Sequence, residues 1–216
     1  MGRRYAPHVD SRLAHLAQLA PGRQWTVRYL PQGRPLQAVP LVRLDDGVQH
    51  VEVVAVLGAG EEGCLLAQRA ALAGCAVRLY DPDPAALRRA QERIRAAIEQ
   101  GLAAGRLRPE DKQRALDGIL VTIDLEEAVT HGDLVIETGE RSGPERRALF
   151  LRLGESCRAS ALVATCRGSP DELMDWMPQP GRLFRLRMSA SPPSVEPGVE
   201  TSPDAVERAR EFIERL

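Results

Sequence analysis

The sequence predicts an α/β fold, a doubly wound parallel sheet with an N-terminal helix and strand extension in front of it. Three observations favour this fold. A hydrophobic run leads into glycines at the G-x-G-x-x-G spacing, an acidic residue ends the next strand candidate, and strand candidates alternate with helix candidates from there onward. We expect the extension to cover residues 1–50 and the α/β domain to cover residues 51–216.

The glycine-rich stretch follows the β-branched run Val53–Leu57 and contains Gly58, Gly60 and Gly63. Glycines at this spacing allow a tight turn, the approach of a pyrophosphate to the backbone, and close packing of helix on strand. The helix that follows offers free N–H groups and a positive dipole. Asp81 comes 81 − 58 = 23 positions after the first glycine, and a ribose-binding acid is expected about 20 residues on. The pattern predicts a Rossmann-type dinucleotide site, and a glycine turn in an unrelated α/β protein is the alternative.

The rest of the domain shows the alternation that a parallel sheet requires. Its helix candidates include a long one that Asp83 caps and Pro84 begins. This helix has a stripe of apolar residues at helical spacing, which we expect to be core. The proline-rich residues 191–203 are expected to form a loop. The strand candidates are 53–57, 76–80, 119–122, 134–137, 161–165 and 183–188, and the apolar stripe is Leu87, Ala90, Ile94, Ile98 and Leu102.

The extension contains its own local signals. A short helix capped by Asp10 or Ser11 is expected to run through Ala20, before a strand at 25–29, a turn at 31–33 and an extended segment at 39–44. The extension either packs on the domain or forms a surface for a protein partner or a second copy of the chain.

Composition narrows the classes of function. The chain has 216 residues and a net charge of −1, with 29 basic and 30 acidic residues interspersed. We therefore expect neither a nucleic-acid nor a membrane-surface partner. No apolar stretch reaches the length of a membrane span and no secretory signal is present, which favours the cytoplasm.

The four cysteines, Cys64, Cys75, Cys157 and Cys166, include no C-x-x-C pair, so we expect buried or free thiols and no metal site.

From residue 53 to residue 216 the chain resembles the NAD-binding domain of the 3-hydroxyacyl-CoA dehydrogenase family. The stretches VAVLGAG, LYD, TIDLEEAV, DLVIE, ALF and ALVAT carry the resemblance, in the family's order. The resemblance implies NAD as the cofactor. It implies that NAD is held by the glycine loop and by the acid after the second strand of the domain. The family's glutamate and lysine near the cofactor point to two further positions. The implied cofactor-binding residues are Gly58, Gly60, Gly63, Asp81, Glu140 and Arg146.

The family's catalytic positions carry different residues in this chain. Gly168 stands at the first serine position, Arg187 at the histidine and Ala190 at the asparagine, while Glu196 is a possible counterpart of the glutamate that orients the histidine. The family also continues into a helical domain after the residue that aligns with Leu216. We interpret the chain as a single-domain relative or as a fragment of a longer product.

The chain also offers no obvious base for alcohol oxidation near the expected site. Oxidising an alcohol by hydride transfer needs a base that titrates near neutrality, and a guanidinium stays protonated. His50 and His131 precede strand candidates, and the single lysine, Lys112, has no tyrosine three or four residues before it. Three groups could act in altered roles in an active enzyme, and they are Ser169, Glu140 and Glu196.

Two carboxylates, Glu61 and Glu62, occupy the first turn after the glycine loop. They favour the helix dipole but repel a pyrophosphate. We therefore expect a binding or interaction module that has lost the family's acid/base residues. An active oxidoreductase on a 3-hydroxyacyl-CoA-like substrate and a structural protein with a vestigial loop are the alternatives. Asp81 repels a 2′-phosphate, so we expect NAD(H) in preference to NADP(H).

Overall fold

A computed structural model describes residues 25–29, 35–40, 50–190 and 192–216. The chain divides into two compact units, residues 1–48 and 49–216. In the first unit β1 (Trp25–Tyr29) pairs antiparallel with β2 (Pro35–Pro40). The strand expected at 25–29 is confirmed. Strand β2 begins before the extended segment expected at 39–44 and includes its first two residues, and residues 41–44 lie outside the described residues. The helix expected through Ala20 and the turn expected at 31–33 lie outside the described residues.

The second unit alternates strands and helices, as the sequence predicts. Its strands are β3 (Val53–Leu57), β4 (Ala76–Tyr80), β5 (Ile119–Thr122), β6 (Leu134–Glu137), β7 (Leu162–Thr165), β8 (Leu183–Arg187) and β9 (Ser194–Pro197). Its α-helices are α1 (Glu61–Leu72), α2 (Pro84–Ala103), α3 (Pro109–Asp117), α4 (Leu125–Val129), α5 (Gly143–Ser156), α6 (Asp171–Met174) and α7 (Pro203–Glu214). A 3₁₀ turn, Pro180–Arg182, leads into β8.

The seven strands form one sheet in the order β5-β4-β3-β6-β7-β8-β9. Strands β3 to β8 are parallel, and the chain order reverses between β3 and β6. This arrangement confirms the doubly wound sheet. Helices cover both faces, and the apolar side chains form one core cluster on each face.

Strand β9 corrects the prediction of a loop over residues 191–203. It pairs antiparallel with β8 and places Glu196 opposite Arg185 and Ser194 opposite Arg187. An edge strand needs ladder hydrogen bonds on one side only, so the surrounding prolines do not prevent it from forming. Proline content therefore misled the prediction at this edge.

Helix α2 confirms the expected cap and most of the expected apolar stripe. The Asp83 carboxylate accepts hydrogen bonds from the backbone N–H groups of Ala85 (2.8 Å) and Ala86 (3.1 Å), and Pro84 begins the helix. The buried members of the stripe are Leu87, Ala90, Ile94 and Ile98, whereas Leu102 is only half-buried.

Asp133 anchors the amino end of the central strands. Its Oδ2 atom accepts from the backbone N–H groups of Val53 (2.8 Å) and Glu52 (3.0 Å), and its other oxygen forms an ion pair with Arg158. The start of β6 is thereby joined to the start of β3. These contacts help fix the register that brings the glycine turn and the end of β6 to the same sheet edge.

Candidate functional site

The glycine turn lies at the carboxyl end of β3, where the strand order reverses. Gly58 has a φ of +128°, and its N–H donates to the carbonyl of Tyr80 (2.8 Å). A Cβ on Gly58 would lie 2.9 Å from Oγ1 of Thr138, and one on Gly63 would collide with the carbonyl oxygen of Gly58. Both glycines are therefore required by the packing of the turn on α1 and β6.

Gly60 differs from the other two glycines because no atom lies within 4 Å of the position that its Cβ would take. Gly60 is also the N-cap of α1, and no side chain caps this helix end. The N–H groups of the first turn are therefore not occupied by a side-chain cap, and uncapped N–H groups at a helix N-terminus can bind phosphate.

Asp81 is held beside this turn by two backbone hydrogen bonds. Its Oδ2 accepts from the N–H of Ala59 (2.9 Å) and its Oδ1 from the N–H of Asp83 (3.0 Å). Each carboxylate oxygen has a further lone pair, so the group can also accept hydrogen bonds from a vicinal diol. The position at the end of β4 suits a ribose.

A cleft of about 1230 Å³ opens above the turn. Of the six expected cofactor-binding residues, Gly58, Gly60, Asp81 and Glu140 line it, whereas Gly63 lies in the contact between helix and strand. The other lining residues come from both sides of the point where the strand order reverses, between β3 and β6. They include Glu61, Glu62, Leu65, Arg89, Arg93, Thr138, Arg141, Arg152, Arg167, Met188 and Ser189.

Arg146 is enclosed in a polar network behind the cleft. Its Nη2 lies 3.3 Å from Oε2 of Glu137, a carboxylate with 0% side-chain exposure, and 2.5 Å from Oγ1 of Thr165. Arg141 pairs with the other Glu137 oxygen at 3.1 Å, and Thr165 donates to Oε2 at 2.9 Å. A buried carboxylate needs such partners. In this structure Arg146 therefore stabilises the ends of β6 and β7.

Arg167 connects the loops that follow β6 and β7. Its Nε donates to the carbonyl of Thr138 (3.2 Å), and its Nη2 forms an ion pair with Glu140 (3.2 Å). Glu140 has 83% of its side chain exposed at the cleft mouth. Arg141 also lines the cleft, as Arg167 does, whereas Arg187 is not among the lining residues.

The two glutamates of the first turn of α1 are placed differently. Glu61 is exposed, whereas Glu62 is half-buried. Burial raises the pKa of Glu62, and Glu137 raises it further, while the positive charge of Arg167 opposes this rise. Both side chains line the cleft.

The residues expected at or near the family's catalytic positions include Arg187, Glu196 and Ser169. Arg187 is exposed at the end of β8. Glu196 forms an ion pair with Arg185 (3.6 Å), its partner in the strand register. The Ser169 hydroxyl accepts from the N–H of Asp171 (3.2 Å).

The two histidines in residues 50–190 and 192–216 lie away from the cleft. His50 precedes β3 and lies 3.7 Å from a carboxylate oxygen of Glu211. His131 is exposed before β6. Both precede the amino ends of their strands, as the sequence predicts, whereas the cleft is at the carboxyl ends.

All four cysteines are buried and unbridged, which confirms the prediction of buried thiols. Burial raises the pKa of Cys157 to about 11 and raises that of Cys166 as well, where Glu62 and Glu137 add to the effect. Thiols with a raised pKa are poor nucleophiles. The described residues contain no cluster of three or more histidine, cysteine or acidic side chains that could hold a metal, and no helix among them could span a membrane.

Sequence reasoning missed Thr138, which supports the glycine turn from β6. Its Oγ1 lies 3.2 Å from the carbonyl oxygen of Gly58 and 3.3 Å from that of Leu57, and it fills the space that Gly58 and Gly63 leave. The sequence signal that could have indicated this role is a small hydroxyl residue directly after β6, the strand that pairs with β3 beside the glycine turn.

Comparisons with known proteins agree with this geometry. Residues 53–216 match the family described as 3-hydroxyacyl-CoA dehydrogenase, NAD binding domain. The chain is similar to the 3-hydroxyadipyl-CoA dehydrogenase of Escherichia coli K12, at 35% identity over 116 residues, which are 54% of this chain and 24% of that protein. It is also similar to the probable 3-hydroxybutyryl-CoA dehydrogenase of Bacillus subtilis, at 29% identity over 54% of this chain and 40% of that protein.

Solved structures show the same relationship. The crystal structure of 3-hydroxybutyryl-CoA dehydrogenase from Escherichia coli K12 superposes with a TM-score of 0.73, at 29% identity over 77% of this chain and 36% of that one. A diketoreductase superposes with a TM-score of 0.69, at 27% identity over 77% of this chain and 62% of that one. The chain thus spans only part of the length of these relatives.

Proposed function

The chain belongs to the 3-hydroxyacyl-CoA dehydrogenase NAD-binding domain family, and on this premise we propose that it is a binding module in which the family's acid/base residues have been replaced. The family's cofactor is NAD, which supplies a hydride acceptor when it is bound. The single observation that carries the proposal is the end of β8, where Arg187 is exposed and Glu196 pairs with Arg185.

The residues around the turn fit NAD. The open space at Gly60 and the free N–H groups of α1 suit a pyrophosphate, and the Asp81 carboxylate suits ribose hydroxyls. Glu140, at the cleft mouth, is a candidate contact for the other end of the dinucleotide. For Arg146 we propose an indirect role, because its guanidinium is engaged with Glu137 and Thr165.

The chemistry of the β8 end supports a binding role. A base that takes the hydroxyl proton of a substrate must exist in a deprotonated form, and a guanidinium does not near neutrality. Glu196 could orient an imidazole only if one stood beside it, and Arg185 occupies that side of the strand pair. The described residues offer no histidine at the carboxyl edge of the sheet.

An active NAD-dependent oxidoreductase on a 3-hydroxyacyl-CoA-like substrate is the second candidate. The names of the relatives, which are dehydrogenases of 3-hydroxyacyl-CoA substrates, favour it. Its candidate groups are otherwise engaged in this structure, since Ser169 accepts from Asp171 and Glu140 pairs with Arg167. Such an enzyme would use one of these groups in an altered role or borrow a base from another chain.

Calorimetric titration with NAD⁺ tests the binding role. The unmodified chain is expected to bind NAD⁺, and Gly60→Asp is expected to abolish binding, because the variant places a carboxylate in the open space above the turn. Circular dichroism checks that the variant folds. An absence of binding by the unmodified chain would favour the third possibility, a structural protein with a vestigial loop.

We further propose that the extension, residues 1–50, is separate from the dinucleotide-binding domain, residues 51–216, and provides a surface for a protein partner or a second copy. A cytoplasmic location and the absence of a nucleic-acid partner belong to the same proposal and rest on composition. Light scattering of the full chain and of residues 50–216 tests the extension. A monomer in both cases would count against self-association.

A further inference from the structure

We propose that Glu62 makes this site select the oxidised form of the cofactor, so that occupancy follows the ratio of NAD⁺ to NADH. The inference rests on the proposed NAD-binding role and adds a redox preference to it. It depends on where Glu62 lies in the cleft and on the contacts of the charges around it.

The two halves of the cleft can be assigned from the topology. In a doubly wound sheet the dinucleotide crosses the switch point, and the acid after the second strand takes the ribose of the adenosine half. Asp81 at the end of β4 therefore marks the adenosine half. The nicotinamide half lies across the switch, where Thr138 follows β6, Arg167 follows β7, and Met188 and Ser189 follow β8.

Glu62 belongs to the nicotinamide half. Its carboxylate is close enough to Arg167, Glu137 and Arg185, which lie on or after β7, β6 and β8, for their charges to influence its pKa. The next residue, Gly63, packs against Thr138 after β6, where a Cβ would lie 3.0 Å from Oγ1. Glu61, the preceding residue in the same turn, is exposed. The two carboxylates therefore share a helix end but differ in burial and surroundings.

The three charged groups around Glu62 are already paired with other side chains. Glu137 pairs with two arginines. Arg167 pairs with Glu140, and Arg185 pairs with Glu196. Within residues 50–190 and 192–216, no arginine or lysine nitrogen lies within 4.0 Å of a Glu62 carboxylate oxygen, which is the distance limit for an ion pair. The half-buried Glu62 thus contributes a negative charge without a direct cationic partner in this part of the chain.

The nicotinamide ring is cationic in NAD⁺ and neutral in NADH, whereas the pyrophosphate and both riboses are the same. A nearby carboxylate in a partly buried site attracts the oxidised ring and has no net charge to attract in the reduced ring. Repulsion between a carboxylate and the pyrophosphate affects both forms equally. The ratio of the two dissociation constants therefore isolates the effect of a charge beside the ring.

The test compares Glu62→Gln with Glu61→Gln. Dissociation constants for NAD⁺ and NADH are measured by calorimetry at neutral pH for the unmodified chain and both variants. We expect Glu62→Gln to lower the preference for NAD⁺ over NADH by about tenfold, or ~1.4 kcal/mol. Glu61→Gln is expected to change both affinities by the same factor. Glu62→Met, which also removes the charge, is expected to reproduce the Glu62→Gln result.

The outcomes separate this inference from the function on which it rests. If NAD⁺ and NADH bind but their ratio is the same in all the variants, the redox preference is wrong and the binding role stands. If Glu61→Gln changes the ratio as much as Glu62→Gln does, the assignment to Glu62 is wrong. If the unmodified chain binds neither form, both the inference and the binding role are overturned.

Discussion

The Arg146 guanidinium packs directly against Gly168, so that a Cβ on Gly168 would lie only 2.7 Å from Nη1 of Arg146. The resemblance to the family implies a serine at the position of Gly168 and a lysine at that of Arg146. Arg146 is fixed by Glu137 and Thr165 and donates to the carbonyl of Arg167. Gly168 and Arg146 therefore belong to one packing arrangement.

Gly168→Ser is expected to destabilise the fold by about 2 kcal/mol. Gly168 has a φ of +68°, which costs a residue with a side chain about 1 kcal/mol, and displacing Arg146 weakens the pairing of a buried carboxylate. Urea unfolding measures the change. Gly105→Ser is the matched control, because Gly105 has the same φ of +68° and nothing within 4 Å of its Cβ position. Equal losses of stability in the two variants would show that the contact with Arg146 is unimportant.

Gly63→Ala and Gly60→Ala are expected to affect stability very differently. A methyl group on Gly63 collides with the backbone of Gly58, so we expect a loss of about 3 kcal/mol or more. Gly60→Ala places its methyl group in open space and is expected to cost about 1 kcal/mol, through the weaker N-cap. Thermal unfolding compares the two. A larger loss in Gly60→Ala than in Gly63→Ala would contradict the packing described for the turn.

Glu62→Gln is expected to stabilise the free protein at neutral pH. Burial raises the pKa of Glu62 in the folded state above its ordinary value of 4.5, so the folded state binds the proton more tightly than the unfolded state does. Ionised Glu62 therefore lowers stability as the pH rises through the window above 4.5, and the charge has no such effect at lower pH. Stability curves of both proteins between about pH 4 and pH 8 test this. A difference that is independent of pH would show that burial of the charge is not the cause.

Asp81→Asn is expected to weaken NAD⁺ binding by about tenfold while leaving NADP⁺ binding weak or slightly improved. The carboxylate is oriented by the N–H groups of Ala59 and Asp83, and its negative charge repels a 2′-phosphate. Calorimetry with both cofactors provides the measurement. Equal affinity of the unmodified chain for NAD⁺ and NADP⁺ would be incompatible with the role assigned to Asp81.

The sequence predicted the features that depend on local pattern. Buried parallel strands are apolar runs, so Val53–Leu57 was recognisable, and the Asp83-Pro84 cap and the three glycines follow from local backbone geometry. The contacts of Thr138 with the turn join residues 80 and 81 positions apart, and no local pattern indicates them. The same limit applies to Gly168 and Arg146, whose contact depends on how β7 and α5 pack.

Local sequence patterns also did not indicate the pairing of the edge strand or the burial of individual side chains. The four prolines of residues 191–203 indicated a loop, but pairing with β8 makes part of that stretch a strand. Glu61 and Glu62 were equivalent in the sequence. Only the helix orientation separates them, exposing one and partly burying the other beside Cys166.

The most direct test of the central claim is the absorbance of NADH at 340 nm when the full chain is mixed with NADH and acetoacetyl-CoA, a 3-oxoacyl-CoA. The proposed absence of a base at the β8 end predicts no consumption of NADH above that of a protein-free control, under conditions where calorimetry shows NADH bound. Steady oxidation of NADH in proportion to protein, abolished by Gly60→Asp, would show that the chain is an active dehydrogenase and would contradict the account.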